Sequence, residues 1–263
     1  MSLGKLVTLV PLLGDGNPYV DYLDSLYADG LLFPYYIADI ASRATATGEF
    51  SGAELLEASG SDAALNMDLT SITWGAEGGL VFNGTTSLGT IPNHTAIADL
   101  TTWGFFMDYT PTSLGEADGG RFYEYGAGGN AHQFAHVTGN ALDGFVRTDA
   151  VEGRAISNAG QVTYIGSRAL AFMYYDHADA LGEGRRVRLF HYYQGVFTRH
   201  TLATDTAATG TLLAQVLDHI IGNRSDGIRT LAGTVWRFGW FPAAAITLLE
   251  STIYPKLGSL AGV

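Results

Sequence analysis

The chain has 263 residues, 47% of them hydrophobic and only 15% charged, with a net charge of −12 and no cysteine. Such a length buries a core easily, and a chain without cysteine has no disulfides, no thiolate metal site and no cysteine nucleophile. Its lysines are Lys5 and Lys256, and no basic run occurs, which argues against nucleic-acid binding and against docking on anionic membranes.

In chain order, Leu6–Leu13 reads as a strand ended by Asp15. The apolar run is too short for a secretory signal, and no stretch is long enough to span a membrane. Tyr19–Tyr27 and Leu31–Ala44 are apolar and aromatic, and Leu32, Tyr35, Tyr36, Asp39 and Ile40 have near-helical spacing. Thr45–Gly52 reads as a loop and Ala53–Ala58 as a further helical turn. Residues 1–64 are therefore expected to be an N-terminal extension or docking arm, or extra strands, and residues 65–263 the main domain. Leu26, Tyr27, Leu31, Leu32, Phe33, Tyr35 and Tyr36 form one apolar cluster. It either packs on the rest of the chain or contacts a second copy or another partner.

After Leu65, turn signals recur every ~8–12 residues, the spacing of a β-sandwich. Gly78-Gly79, Asn83-Gly84, Gly115–Gly120, Gly126–Asn130, Gly139-Asn140, Gly182–Gly184 and Asn223–Gly227 are examples. The runs between them are short and rich in Phe, Tyr, Val and Ile, as strands are. Arg168–Asp176 and Arg185–Gly195 read as a strand pair. Gly233–Phe241 is a strand, and Pro242-Ala243-Ala244-Ala245 ends it and opens a helix towards Tyr254. Trp236, Phe238 and Trp240 alternate with Arg237 and Gly239, which predicts an aromatic set on one buried face.

Two segments carry a family resemblance. Gly79–Asn93 has an apolar strand, a Gly turn after Phe82-Asn83, a short strand and then Ile91-Pro92. His219–Tyr254 has strand, polar turn, aromatic strand and short helix. Together they resemble concanavalin A-like, laminin G-like jelly rolls, over roughly Leu65 to Tyr254. The resemblance implies an all-β antiparallel β-sandwich with an N-terminal extension. It carries no catalytic signature.

Several motifs have both a chemical and an ordinary reading. Gly126–Ala131 is a loose G-x-G-x-x-A, but His132–Val137 after it reads as a strand, so an interstrand loop is expected. His132 and His136 share a strand face at a spacing too wide for easy zinc chelation. Asp176, Asp179 and Glu183 could offer oxygens to calcium at a sandwich rim, but lack EF-hand spacing and suit a solvated turn. No cofactor and no metal are expected. Asn83, Asn93 and Asn223 head Asn-x-Ser/Thr triplets, which are expected by chance in such a chain.

Laminarinase-type hydrolases on this fold carry Glu-x-Asp-x-x-Glu. Glu116-Ala117-Asp118 begins that pattern, but Arg121 stands at the last acidic position. No catalytic residue is assigned. Sugar binding uses aromatic faces beside amide and carboxylate groups. The loop offering Tyr125, Asn130, His132 and Gln133 is the candidate glycan site.

The function expected from these readings is a non-enzymatic virion structural protein. It would decorate the head of a phage or virus-like particle or belong to its tail or fibres, made in the host cytoplasm without a signal peptide. Its partners would be itself, as a homo-oligomer, other particle proteins, and host surface polysaccharide. The alternative is a bacterial, extracellular carbohydrate-binding or adhesion module, and the third reading is a divergent glycoside hydrolase or lyase.

Overall fold

The computed structural model describes residues 17–38, 54–59, 63–94, 97, 101–126, 132–213 and 217–263. Expectations for Leu6–Leu13, Thr45–Gly52 and Asn130 lie outside these residues. Two antiparallel sheets dominate. The first holds, in spatial order, β14 (Val196–Arg199), β13 (Val187–Tyr193), β12 (Ala169–Asp176), β7 (Thr102–Pro111), β17 (Ala232–Pro242), β5 (Leu80–Asn83) and β4 (Thr73–Trp74). An eighth strand, β1 (Tyr35–Ile37), pairs with the C-terminal half of β17.

The second sheet has nine strands. Their order is β15 (Leu202–Thr206), β11 (Gly153–Ser157), β10 (Ala141–Val146), β9 (His132–Val137), β8 (Arg121–Tyr125), β16 (His219–Ile221), β6 (Leu88–Ile91), β3 (Met67–Thr70) and β2 (Glu54–Leu55). The chain is thus the all-β sandwich that its strand and turn spacing predicted.

Alternation along each central strand builds two cores. In β7, Phe105, Met107 and Tyr109 enter the core between the sheets, while Phe106 faces the other way. In β12, Ala171, Met173 and Tyr175 point inward, and Leu170, Phe172 and Tyr174 point outward. All eight residues of β12 are buried, because helices cover its outer face. A two-sided strand reads as a continuous apolar run for that reason.

Helix α1 (Pro18–Ala28) is one cover. Asn17 caps it by accepting from the Tyr19 amide at 3.0 Å, and Pro18 fits its first turn. Tyr19, Val20, Leu23 and Leu26 form its buried stripe. The other cover is C-terminal. A 3₁₀ turn (Ala243–Ala245), a short α turn (Ile246–Leu248) and a π turn (Leu249–Ile253) lead into α2 (Tyr254–Ala261). The predicted helix therefore exists and runs past Tyr254. Two glycines let it lie close. A Cβ on Gly104 would sit 2.6 Å from the Tyr254 hydroxyl, and one on Gly258 would sit 2.0 Å from Cγ of Tyr192.

The N-terminal cluster is used inside the chain. Leu26, Leu32, Tyr35 and Tyr36 are at most 4% exposed, and Tyr27, Leu31 and Phe33 are half-buried. Tyr36 stacks on Phe238 at 4.6 Å and donates its hydroxyl proton to the Leu65 carbonyl at 2.5 Å. The four buried members cannot also serve the assembly contact expected of them. Near-helical spacing over Leu32–Ile40 also misread β1, and Ala53–Ala58 contains β2 rather than a helical turn. Pairing with β17 overrode local spacing in the first case and pairing with β3 in the second.

Trp236 departs from the predicted aromatic face. A bulge between Val235 and Arg237 leaves it without a partner on β7. Phe238 and Trp240 enter the inner core, whereas Trp236 is half-buried, lies under the Arg168 guanidinium and donates to Thr110 Oγ1 at 3.2 Å.

Candidate functional site

Of the four sheet faces, two meet in the inner core and a third lies under the helices. The outer face of the nine-stranded sheet holds an open groove of about 440 Å³. Strand register explains its lining. Arg121, Ala135, Asp143 and Ile156 form one row across β8, β9, β10 and β11. Glu124, Gln133, Phe145 and Arg154 form the next. The turn Ala117–Gly119, together with Val137, Thr138 and Arg229, completes the walls.

Arg121 owes its direction to a bulge. Tyr123 and Tyr125 point into the core, so strict alternation would send Arg121 inward too. The register shifts between Arg121 and Tyr123, with Phe122 as the extra residue. That shift turns the guanidinium outward into the groove.

The charges are unequally satisfied. Arg154 gives Nε (3.2 Å) and Nη2 (2.8 Å) to the two oxygens of Asp143. Arg229 gives Nη1 to the Ala117 carbonyl at 2.7 Å, but its buried Nε has no partner among the described residues. Arg121 Nε lies 3.8 Å from Glu124 Oε2, an ion pair too long for a hydrogen bond, and both buried atoms lack a hydrogen-bond partner among the described residues. The other oxygen of Glu124 accepts from the amide and hydroxyl of Ser225, each at 3.0 Å. Burial pushes the Glu124 carboxyl above its usual range, against the pull of Ser225 and Arg121. Burial also lowers Arg121, against the pull of Glu124 and Asp143, and the neighbouring Arg229 and Arg224 add to the lowering.

The lip of the groove is strained. Ala117 and Asp118 both have φ of 50°, a left-handed conformation that L side chains rarely adopt. Glu116 holds the turn in place: its Oε2 accepts from the amide and hydroxyl of Thr230 at 3.3 Å, and its amide donates to the Thr230 carbonyl at 2.9 Å. The segment that begins a hydrolase-like pattern in the sequence is thus a groove edge, with Arg121 on its floor.

Of the glycan candidates, Gln133 lines the groove. Tyr125 and His132 face the other way. Tyr125 is 3% exposed, stacks on His219 and donates to Asn93 Oδ1 at 3.2 Å. His132 is buried, and its Nδ1 accepts from the Arg147 amide at 3.1 Å. The period of two that exposes Gln133 necessarily hides His132. His136, on the inner side as well, hydrogen-bonds the Tyr109 hydroxyl at 2.6 Å.

Asp176, Asp179 and Glu183 have separate partners. Asp176 accepts from the Leu181 amide, Asp179 from the Gly184 amide, and Glu183 from Arg188 and Arg199. Sequence reasoning missed Asp143, Arg154 and Arg229 because they come from distant segments that only strand register brings together.

No family model matches the chain. No curated protein matches it in sequence. Among solved structures it is similar to Trypanosoma rangeli sialidase in complex with the inhibitor DANA, at 9% identity and TM-score 0.51, over 87% of this chain and 32% of that one. It is also similar to the botulinum neurotoxin serotype D binding domain, at 9% identity and TM-score 0.50, over 89% of this chain and 52% of that one. A weaker likeness, at 12% identity and TM-score 0.47, is to a Ruminococcus gnavus IT-sialidase CBM40 bound to α2,3-sialyllactose, over 62% of this chain and 89% of that one. The chain spans about a third of the sialidase and half of the toxin domain. At these identities the likeness is one of fold, and the fold is an antiparallel β-sandwich of the jelly-roll kind.

Proposed function

We propose that the chain is a non-catalytic glycan-binding module and that its site is the groove on the open face of the nine-stranded sheet. The observation that carries this reading is the contrast between faces. Two are buried as core, helices cover the third and leave a smaller pocket of about 370 Å³, and the fourth gathers polar side chains from four adjacent strands around a groove of about 440 Å³. Gln133 and Thr138 supply amide and hydroxyl groups for sugar hydroxyls, and Val137 and Ile156 supply apolar walls for sugar C–H groups. The toxin domain with the same fold is itself named for binding.

The use of two nearby acids supports binding without cleavage. Most glycoside hydrolysis uses two carboxyls facing one bond. Both oxygens of Asp143 are held by Arg154, and Glu116 is tied to Thr230. A role on a virus particle would add a docking surface. Leu26, Leu32, Tyr35 and Tyr36 do not supply one, being buried in the chain, and the proposal is the binding module alone.

Affinity electrophoresis of the full chain through gels containing a broad set of polysaccharides tests the reading. Retardation by at least one polysaccharide, without release of reducing ends, is expected. Unretarded migration in every gel contradicts the binding, and reducing-end release contradicts the lack of catalysis.

A further inference from the structure

We propose that the groove recognises an oxyanion carried on a sugar, a carboxylate or a sulfate, with Arg121 and Arg229 as the donors. This rests on the glycan-binding reading and names its ligand class. The first support is sign. The chain carries −12 overall, yet the groove lining gathers three guanidiniums, Arg121, Arg154 and Arg229, against the carboxylates of Asp118 and Asp143 and of Glu124 beside Arg121, so the groove is near neutral in an acidic chain.

The second support is an inventory of donors. Arg154 is committed to Asp143. Among the described residues, Arg121 and Arg229 make no hydrogen bond to a carboxylate, although Arg121 keeps the longer ion pair with Glu124. The Arg121 side chain is only 11% exposed, so water serves its donors poorly. A planar guanidinium lining the groove matches an oxyanion, which accepts two bonds side by side.

The third support is construction. A bulge at Phe122 re-aims Arg121 into the groove. Arg229 is fixed by its bond to the strained Ala117 turn. Such devices concentrate where a side chain must be held for a ligand. The described lining also contains no aromatic ring, so the stacking platform that neutral sugars use is absent there. Phe145, in the same register row as Arg154, is covered by the guanidiniums of Arg147 and Arg154 at 4.8 and 5.9 Å.

Calorimetric titration of the full chain would use a polyuronate, a sialylated oligosaccharide and a sulfated dextran, each beside a neutral counterpart. Anionic ligands are expected to bind at least ~10-fold tighter than neutral ones and to weaken as salt rises from about 50 to about 300 mM. The carboxylated and sulfated arms identify the source of the oxyanion. Arg121→Gln and Arg229→Gln should each weaken anionic binding about 10-fold or more, with Arg121→Lys retaining part of it. If Arg121→Gln loses the native melting transition, Arg229→Gln and the salt series on the unaltered chain decide. Equal binding of neutral and anionic glycans overturns this inference and leaves the glycan-binding reading standing. Unchanged anionic affinity in folded variants overturns the assignment of the donors. No binding to any glycan overturns both.

Discussion

His191 Nδ1 lies 2.8 Å from His200 Nε2, and His200 Nδ1 lies 2.7 Å from the side-chain oxygen of Gln161. The same oxygen accepts from the Thr201 amide at 3.2 Å, so His200 donates to it through Nδ1. Neutral His200 then has a bare Nε2, and His191 donates to that atom. A proton on His200 Nε2 would leave His191 without its acceptor. Burial holds His191 at about 4 and His200 at about 3. His132, His136 and His219 are held at about 4, 3 and 3 for the same reason.

These values predict acid lability. The unfolded chain takes up protons near pH ~6.5, well before the folded one does. Stability is complete above that pH and falls as pH drops towards 4 to 3, by up to ~1.4 kcal/mol per pH unit for each histidine. Thermal melts at pH 7.5 and pH 5 should differ by many degrees. A flat profile between those pH values would mean that the histidines are open to water in the folded chain.

Asp108 is expected to be a keystone of the helix-covered face. It is 0% exposed and accepts from Arg168 at 2.7 and 2.6 Å and from Arg237 at 3.1 Å. Arg237 in turn lies 4.3 Å from the Tyr19 ring of α1. Asp108→Ala strands the Arg237 guanidinium beneath the helix, removes the carboxylate that Arg168 grips, and should cost about 3–5 kcal/mol. Urea unfolding measures it, and a loss below about 1 kcal/mol would contradict the burial.

The two β17 tryptophans should behave differently. Trp240→Ala empties the inner core and should cost about 3–5 kcal/mol. Trp236→Ala, on the bulge, should cost about 1–2 kcal/mol. Equal shifts in the urea midpoint would contradict the bulge.

Gly258→Ala tests the closeness of α2 to β13. The added methyl meets the Tyr192 ring, and overpacking of this kind costs about 1–3 kcal/mol. The melting temperature should fall, and Gly195→Ala, at a turn with open space around it, serves to compare a positive-φ penalty without a clash.

What the sequence disclosed follows physical lines. β12, β13 and β17 were legible because strands buried on both faces are nearly all apolar, and the helix after Pro242 was legible from its punctuation. Neither bulge was legible: nothing in the residues around Phe122 or Trp236 says that one position is skipped, and each skip moves a side chain to the opposite face. Tyr125 and His132 drew attention as loop residues, but both belong to strand ends paired in register, which fixed them inward. The groove itself lay beyond a linear reading. Arg121, Arg154 and Arg229 share no motif, and only the pairing of β8 to β11 with the approach of the Asn223–Thr230 turn makes them neighbours.

The helices sit behind the first sheet, and the groove opens in front of the second, so the molecule has a back and a front. The last residue belongs to the back, where the Val263 carbonyl accepts from the Gly195 amide at 2.9 Å. A bead or sensor surface coupled through Lys256, exposed on α2 at the back, would therefore present every groove outward, whereas random coupling through exposed carboxylates would blind a share of them. Orientation on a support becomes a matter of which residue is anchored, and many weak sites facing one way can hold a polymer by avidity that a single site lacks.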